Sequence, residues 1–214
     1  MLIERNKMIR RHLLALICLF LPFFAFAEEF TLGKDYEVFN TKASKPTSHK
    51  VSVTEFFSYG CPWCYKIEPS LTNWVKQKGN SIEFSRVPVV FNKDWLFYAK
   101  AYYTAKLLNL DSKFNNLLFQ AIQNKNETLN SNATMIAFFT AQGVDKATAQ
   151  SAFENSTTVE MRVNDGTAKM TRYHINGVPA IVVNHQYKTD LQMAKTEERF
   201  FKILDFLVQK STKK

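Results

Sequence analysis

The chain has 214 residues and a formal net charge of +9 at pH 7, from 28 basic and 19 acidic residues. A chain of this length suits one domain, or one domain with an insertion. The basic residues are spread along the sequence and form no run interleaved with aromatic residues, so nucleic acid is not an expected partner.

Residues 1–27 have the features of a secretory signal peptide. Several basic residues precede an apolar segment, Leu13 to Phe24, that is too short to cross a membrane. The A-x-A triplet Ala25-Phe26-Ala27 follows, so we expect cleavage after Ala27, with an uncleaved membrane anchor as the alternative. Cleavage would remove four basic residues and one acidic residue, which leaves a net charge of about +6. No stable membrane insertion is expected of the mature chain.

The three cysteines of the chain predict redox chemistry. Only Cys61 and Cys64 would remain after cleavage, because Cys18 lies in the signal peptide. A disulfide between them closes a loop too short to add much stability, so the pair is expected to be chemical, with a structural disulfide as the alternative. A zinc site is another use of this spacing, but zinc normally takes four ligands and the remaining histidines are scattered. We therefore expect no metal and no cofactor.

After a polar arm at 28–50, which we expect to be extended, the first predicted strand runs from His49 to Phe57. Apolar residues alternate along it with a period of two, and Glu55 falls in the apolar series. Because two phenylalanines follow Glu55, we expect a strand covered on both faces and a buried carboxyl. The alternative is a glutamate on an edge strand that faces water.

A helix from Trp63 to Lys78 and a strand from Ser81 to Val90 come next, and together they predict a parallel βαβ unit with a right-handed crossover. Arg86, in the second strand, is a candidate charge partner for Glu55, with a solvated arginine as the alternative.

From about residue 93 to residue 153 the pattern predicts helices and no strand. The predicted helices cover 94–108, a segment that begins at Asp111, 130–141 and 145–153, and the first is apolar nearly all round and should be buried. A capping box at Thr157–Glu160 then opens a helix to about residue 174. A turn, two short strands at 180–183 and 187–191, and a helix capped by Thr196 complete the chain.

The two cysteines begin the helix that starts near Trp63, which suits disulfide exchange. Cys61 would lie at the helix N-terminus, where unpaired amides stabilise a thiolate, so we predict that it is the nucleophile. Cys64, one turn further on, is the predicted resolving thiol, and Pro62 suits the first helical position. A buried Glu55 could carry protons to or from Cys64, so we expect Glu55→Gln to slow release of Cys64 from disulfides near neutral pH.

The ten residues from Phe56 to Tyr65 resemble the active-site sequence of the DsbA family, exported thiol oxidases of the thioredoxin superfamily. The segment from Gly177 to Ala180 resembles that family's cis-proline loop, although a trans proline is the commoner state of a turn. The resemblance covers nearly all of the mature chain. It implies an α/β, thioredoxin-like fold at 28–91 and 157–214, with an inserted helical subdomain at 92–156.

The resemblance also implies a function. It predicts a periplasmic thiol:disulfide oxidoreductase that donates its Cys61–Cys64 disulfide to reduced, unfolded or folding exported proteins. Val178 and Pro179 would form part of the substrate groove, Glu55 would match the family's buried acid, and a DsbB-type membrane partner would reoxidise the dithiol. A disulfide isomerase or reductase of the same compartment is the alternative. A non-enzymatic thiol chaperone or a metal-binding module is the alternative from another class.

One residue departs from the family pattern. The best-known members carry histidine where this chain has Trp63. A histidine there can stabilise the Cys61 thiolate by charge, whereas an indole cannot. We therefore expect a less depressed pKa for Cys61, and a less oxidising protein, than in the histidine-bearing members.

Overall fold

The structure is a computed structural model, and it describes residues 30–39 and 50–212. The predicted signal peptide with its cleavage site, and most of the predicted arm, lie outside the described residues.

The described residues form one five-stranded sheet with the strand order β1-β5-β4-β2-β3. The strands are β1 (Glu37–Val38), β2 (Val51–Phe57), β3 (Ile82–Pro88), β4 (Ala180–Val183) and β5 (Tyr187–Asp190). β2 pairs in parallel with β3 and antiparallel with β4, which confirms the predicted βαβ unit. Glu55 therefore lies on a central strand and is buried, as expected, and the alternative of an edge strand facing water is wrong.

The described part of the chain also contains eight helices. They are α1 (Pro62–Lys78), α2 (Lys93–Leu107), α3 (Asp111–Phe119), α4 (Asn132–Ala141), α5 (Lys146–Glu154), α6 (Thr157–Arg172), α7 (Leu191–Ala194) and α8 (Glu197–Thr212). Helices α2 to α5 lie in the sequence between β3 and α6, so the chain has the expected α/β architecture with a helical insertion. The exact borders predicted for the insertion, 92 and 156, remain a prediction.

The dithiol lies where the insertion meets the sheet. Both cysteines belong to the same buried cluster as the aromatic residues of the insertion, among them Phe114, Phe119 and Phe139. A second cluster lies between the sheet and α8 and contains Val53, Ile181, Leu204 and their neighbours. α2 buries residues on every side, as its nearly continuous apolar sequence predicts. The insertion thus contributes to the core that surrounds the two thiols.

Several local predictions are wrong by a few residues. Helix α6 is capped by Ser156, whose Oγ accepts from the Val159 N–H at 3.3 Å, so the predicted capping box is one residue out of place. The last strand ends at Asp190, because its carboxylate caps the short helix α7, which the sequence pattern did not predict.

The described part of the arm, residues 30–39, is also more structured than expected. It forms a turn followed by β1, which pairs antiparallel with β5 at the sheet edge. Phe30 and Tyr36 are buried, and Asp35 forms an ion pair with Arg199 of α8 at 2.8 Å. This segment is therefore part of the folded domain.

Candidate active site

The dithiol lies at the N-terminus of α1, where Cys61 is the N-cap residue. The Cys61 Sγ accepts a hydrogen bond from the backbone N–H of Cys64 at 3.1 Å, and it lies 3.4 Å from the carbonyl oxygen of Val178, to which the thiol can donate. Both cysteines are free thiols, Cys61 with 5% of its surface exposed and Cys64 with none. The predicted position of the motif at a helix start is confirmed.

The pKa values of the two thiols shift in opposite directions. The pKa of Cys61 is lowered because the Cys64 thiol can donate a hydrogen bond to its sulfur, and the backbone N–H groups of Cys64 and Trp63 add to this effect against the cost of burial. The pKa of Cys64 is raised well above its ordinary value by burial, and then by its neighbour Cys61. Cys61 is thus the sulfur on which a thiolate is stabilised, while Cys64 retains its proton.

Trp63 acts on Cys61 through its backbone. The Trp63 residue is 58% exposed, and the Nζ of Lys66 lies 4.7 Å from the centroid of its ring. Pro62, at the start of α1, is exposed as well and does not interrupt the helix. The motif therefore presents an apolar outer surface beside Cys61 and, in its two middle residues, no ionisable side chain.

Glu55 lies on β2 with none of its surface exposed. Its Oε2 accepts from the Nε of Arg86 at 2.7 Å, which confirms the predicted partner on β3, while no protein partner for its Oε1 is found among the residues described. Burial raises the pKa of Glu55 to about 7, although Arg86 opposes the shift. A carboxyl with this pKa can both accept and release a proton near neutral pH.

Glu68 completes a group of charges that the sequence interpretation missed. Its two carboxylate oxygens accept from one terminal nitrogen of Arg86 at 2.8 and 2.7 Å, and its Oε1 accepts from the Asn115 side chain at 2.8 Å. Burial opposes a charge on Arg86, but the two carboxylates outweigh it and raise the pKa of the guanidinium. The spacing places Glu68 on the same helix face as Cys64, four residues earlier, but it does not reveal the contact with Arg86.

The loop before β4 faces the dithiol across the site. The Val178–Pro179 peptide bond is cis, and the carbonyl of Val178 points at the Cys61 sulfur. A cavity of about 610 Å³ opens beside this contact. It is lined by residues from α1, from the cis-proline loop and from the start of α7 and α8, including Trp63, Lys66, Val178, Pro179, Lys195 and Glu197.

The described part of the chain contains neither a metal-binding cluster nor a membrane-spanning helix. Residues 30–39 and 50–212 contain no group of three or more histidine, cysteine or acidic residues placed to hold a metal ion. They also contain no helix that is both long and apolar enough to cross a membrane.

Comparison with known proteins identifies the family. A family model described as Thioredoxin matches residues 46–205. The thiol:disulfide interchange protein DsbA of Burkholderia cepacia is 39% identical to this chain over 180 residues, which is 83% of this chain and 84% of the relative. The chain belongs to the DsbA family.

Solved DsbA structures share this architecture. The crystal structure of Pseudomonas aeruginosa DsbA, 29% identical, matches with a TM-score of 0.79 over 86% of this chain and 96% of that one. The oxidoreductase DsbA from Xylella fastidiosa, 27% identical, matches with a TM-score of 0.78 over 86% and 99%. A Proteus mirablis DsbA with a non-covalently bound peptide, PWATCDS, is 25% identical and matches with a TM-score of 0.69 over 87% and 100%.

These likenesses confirm the thioredoxin-like fold with its helical insertion. As a member of the DsbA family, the chain is a thiol:disulfide oxidoreductase. Its structure places Cys61 between the helix N-terminus and the Val178 carbonyl, and Glu55 close enough to influence both thiols electrostatically.

Proposed function

We propose that this DsbA-family protein is an oxidase, which donates the Cys61–Cys64 disulfide to reduced, unfolded or folding exported proteins. One observation carries the proposal: the Cys61 sulfur accepts the backbone N–H of Cys64 at the helix start. Hydrogen bonds and unpaired amides at that position stabilise the Cys61 thiolate, and so the reduced form of the dithiol. A dithiol whose reduced form is stabilised gives a disulfide that tends to oxidise other thiols.

The exchange has two steps. A substrate thiolate attacks the Cys61 sulfur of the disulfide, the Cys61–Cys64 bond breaks, and Cys64 leaves with the electron pair and takes up a proton. A second substrate thiolate then attacks the substrate sulfur of the mixed disulfide and releases Cys61 as a thiolate. The substrate has lost two electrons and the dithiol has gained them. Release of Cys61 is favoured because a thiol with a lower pKa is a better leaving group.

Glu55 is the proposed proton donor and acceptor for Cys64. Support comes from its complete burial, its pKa of about 7 and its electrostatic effect on both thiols. We expect Glu55→Gln to slow release of Cys64 from the disulfide about a hundredfold near pH 7, at the lower end of the usual range for a lost proton-transfer group. Stopped-flow reduction of the disulfide from pH 5 to pH 9 measures this, and the same pH dependence in both proteins would contradict the role.

Val178 and Pro179 are the proposed contacts for the backbone of a substrate next to its cysteine. They line the cavity of about 610 Å³ together with Trp63, and the Val178 carbonyl lies next to Cys61. The peptide held by the Proteus mirablis DsbA contains a cysteine, which supports the proposal that this chain also binds cysteine-containing peptides. The pocket offers apolar area near the dithiol and backbone groups beside it, which suits unfolded chains of varied sequence.

The proposed compartment is the periplasm, reached through the signal peptide at residues 1–27. Export would place the dithiol where disulfides persist. Mass spectrometry of the exported protein tests this, because cleavage after Ala27 leaves Glu28 as the first residue. After each cycle the dithiol needs an electron acceptor, and a DsbB-type membrane protein is the proposed partner.

The deciding experiment is oxidation of a reduced, unfolded protein by the purified, oxidised enzyme. We expect one substrate disulfide formed for each Cys61–Cys64 disulfide consumed, and none with Cys61→Ser. The redox state of the pair in cells separates the two functions of this class. A mainly oxidised pair supports the oxidase, whereas a mainly reduced pair, with scrambled disulfides corrected in vitro, would replace it with the isomerase or reductase.

A further inference from the structure

One short stretch of the helical insertion forms hydrogen bonds on both sides of the dithiol motif. It is the π-helical turn Gln120–Asn124, which directly continues α3. The side-chain amide of Gln123 donates to the backbone carbonyl of Tyr59 at 2.6 Å, and the amide of Asn124 donates to the hydroxyl of Tyr65 at 2.7 Å. These two contacts flank the pair of cysteines.

The π-helical geometry of this stretch is itself unusual. Its i→i+5 hydrogen bond runs from the N–H of Lys125 to the carbonyl of Gln120 at 3.1 Å. Such turns are rare, and they occur frequently at functional sites. Here the turn carries the two side-chain amides that contact the residues on either side of the dithiol.

A second part of the insertion packs on the same loop. Gly60 lies against the indole of Trp95 on α2, so closely that a Cβ atom on Gly60 would overlap the indole nitrogen. Trp95 is stacked on Phe91, with ring centroids 5.5 Å apart. Tyr59 and Gly60 are thus both held by the insertion, one through a hydrogen bond and the other through packing.

The loop held in this way delivers Cys61 to the start of α1. The N–H of Cys61 donates to the carbonyl of Ser58, and the N–H of Gly60 donates to the Ser58 hydroxyl, each at 3.1 Å. Tyr59 and Gly60 are therefore the middle of the turn that precedes the nucleophilic sulfur. The alignment of that sulfur with the N–H groups after it depends on where this turn places Cys61.

We propose that Gln123 is a positioning residue for disulfide exchange: its hydrogen bond to the Tyr59 carbonyl lets the helical insertion hold the turn before Cys61. The sulfur then stays aligned with the N–H groups at the start of α1. Gln123 contacts no reacting atom, so it acts through the turn alone. The inference rests on the proposed role of Cys61 as the thiol that forms the mixed disulfide.

The test compares two glutamines of the same turn. Gln123→Met removes the amide and keeps the length of the side chain. Gln120→Met is the matched control, because the Gln120 side chain has no hydrogen-bond partner among the residues that the structure describes. We measure the pH midpoint of Cys61 thiolate formation by its ultraviolet absorbance, and the rate of Cys61 alkylation by iodoacetamide at pH 5. For Gln123→Met we expect a raised pH midpoint and a roughly threefold slower alkylation, which is within the effect of losing one hydrogen bond. For Gln120→Met we expect wild-type values.

Gln123→Glu supplies a readout that a merely structural residue would not affect. A protonated carboxyl can donate to the Tyr59 carbonyl, whereas a carboxylate cannot. The control is Gln120→Glu, which places the same charge in the same turn. Alkylation of Cys61 in Gln123→Glu should be as fast as in this control at pH 4 and slower than in the control at pH 6.5. This pH comparison also decides the question if Gln123→Met does not fold.

Equal midpoints and rates for the two methionine variants, with unchanged melting temperatures, would overturn the proposal, as would a Gln123→Glu variant without recovery at pH 4. Both measurements report on the Cys61 thiol whether the protein is an oxidase or an isomerase. Failure of this inference can therefore be told apart from failure of the proposed function, which is measured on an unfolded protein substrate.

Discussion

The buried carboxyl of Glu55 should make the stability of this protein depend on pH in a way that Glu55→Gln removes. Burial raises the pKa of Glu55 from its ordinary 4.5 to about 7 in the folded protein. Between these two values the folded protein keeps a proton that the unfolded chain releases. The free energy of unfolding must therefore fall as the pH rises from about 4.5 to about 7, and this contribution is constant outside that window.

The size of the effect follows from the shift. Each pKa unit corresponds to about 1.4 kcal/mol, so ionisation of Glu55 should cost the folded state about 3 kcal/mol across the window. Arg86, 2.7 Å away, already reduces this cost, but it is shared with Glu68. A glutamine at position 55 can still accept from the Arg86 Nε and has no proton to release. The difference in unfolding free energy between Glu55→Gln and its parent should thus shift by about 3 kcal/mol in favour of the variant between pH 4.5 and pH 7.5.

Urea unfolding followed by circular dichroism at four pH values from 4.5 to 7.5 measures this difference. Both proteins should carry serine at Cys61 and Cys64, so that no thiol titrates in the same range. Glu83→Gln is the control, because Glu83 is an exposed carboxyl on the same strand as Arg86. A difference between Glu55→Gln and its parent that stays constant over the whole range would refute the reasoning, and so would an equal pH effect in the control.

Three further predictions concern neighbouring residues. Trp63→His should lower the pKa of Cys61 by about half a unit, because an imidazolium beside the thiolate stabilises it. An ultraviolet titration of Cys61 that shows no decrease would refute this. Gly60→Ala should lower the free energy of unfolding by about 2 kcal/mol through overlap with Trp95, and Trp95→Phe should recover part of the loss in a double-mutant cycle. Arg86→Met should lower the free energy of unfolding by about 3 kcal/mol at pH 8, because it leaves the buried Glu55 and the partly buried Glu68 without their cation. A decrease below about 1 kcal/mol, measured by urea unfolding, would contradict this.

Residues close together in the sequence could be interpreted without a structure. The spacing of Cys61 and Cys64 at a helix start predicted an attacking and a resolving thiol, and α1 begins there. The alternation along β2 placed Glu55 in an apolar series, and the strand is buried on both faces. Both placements, the dithiol at a helix start and Glu55 in a buried strand, hold because helix and strand periods are local properties that fix which residues share a face.

Apart from the Glu55–Arg86 pair, which the predicted βαβ unit suggested, the contacts between distant segments could not be obtained in this way. Glu68 was missed because its importance comes from sharing Arg86 with Glu55, and that sharing needs the parallel register of β2 with β3 and the packing of α1 on them. The π-helical turn at Gln123 was missed because it has no periodic signature in the sequence, and its partner Tyr59 lies 64 residues earlier.

The sequence by itself determined the dithiol, the order of the elements and the apolar strand that carries Glu55, because each of these depends on composition and short-range spacing. The tertiary structure alone decided what surrounds the two sulfurs. It placed the Val178 carbonyl 3.4 Å from Cys61, and it brought Gln123 against Tyr59 from the insertion. Those contacts arise from the packing of segments far apart in the chain, and packing depends on the shape of the whole core rather than on any local pattern.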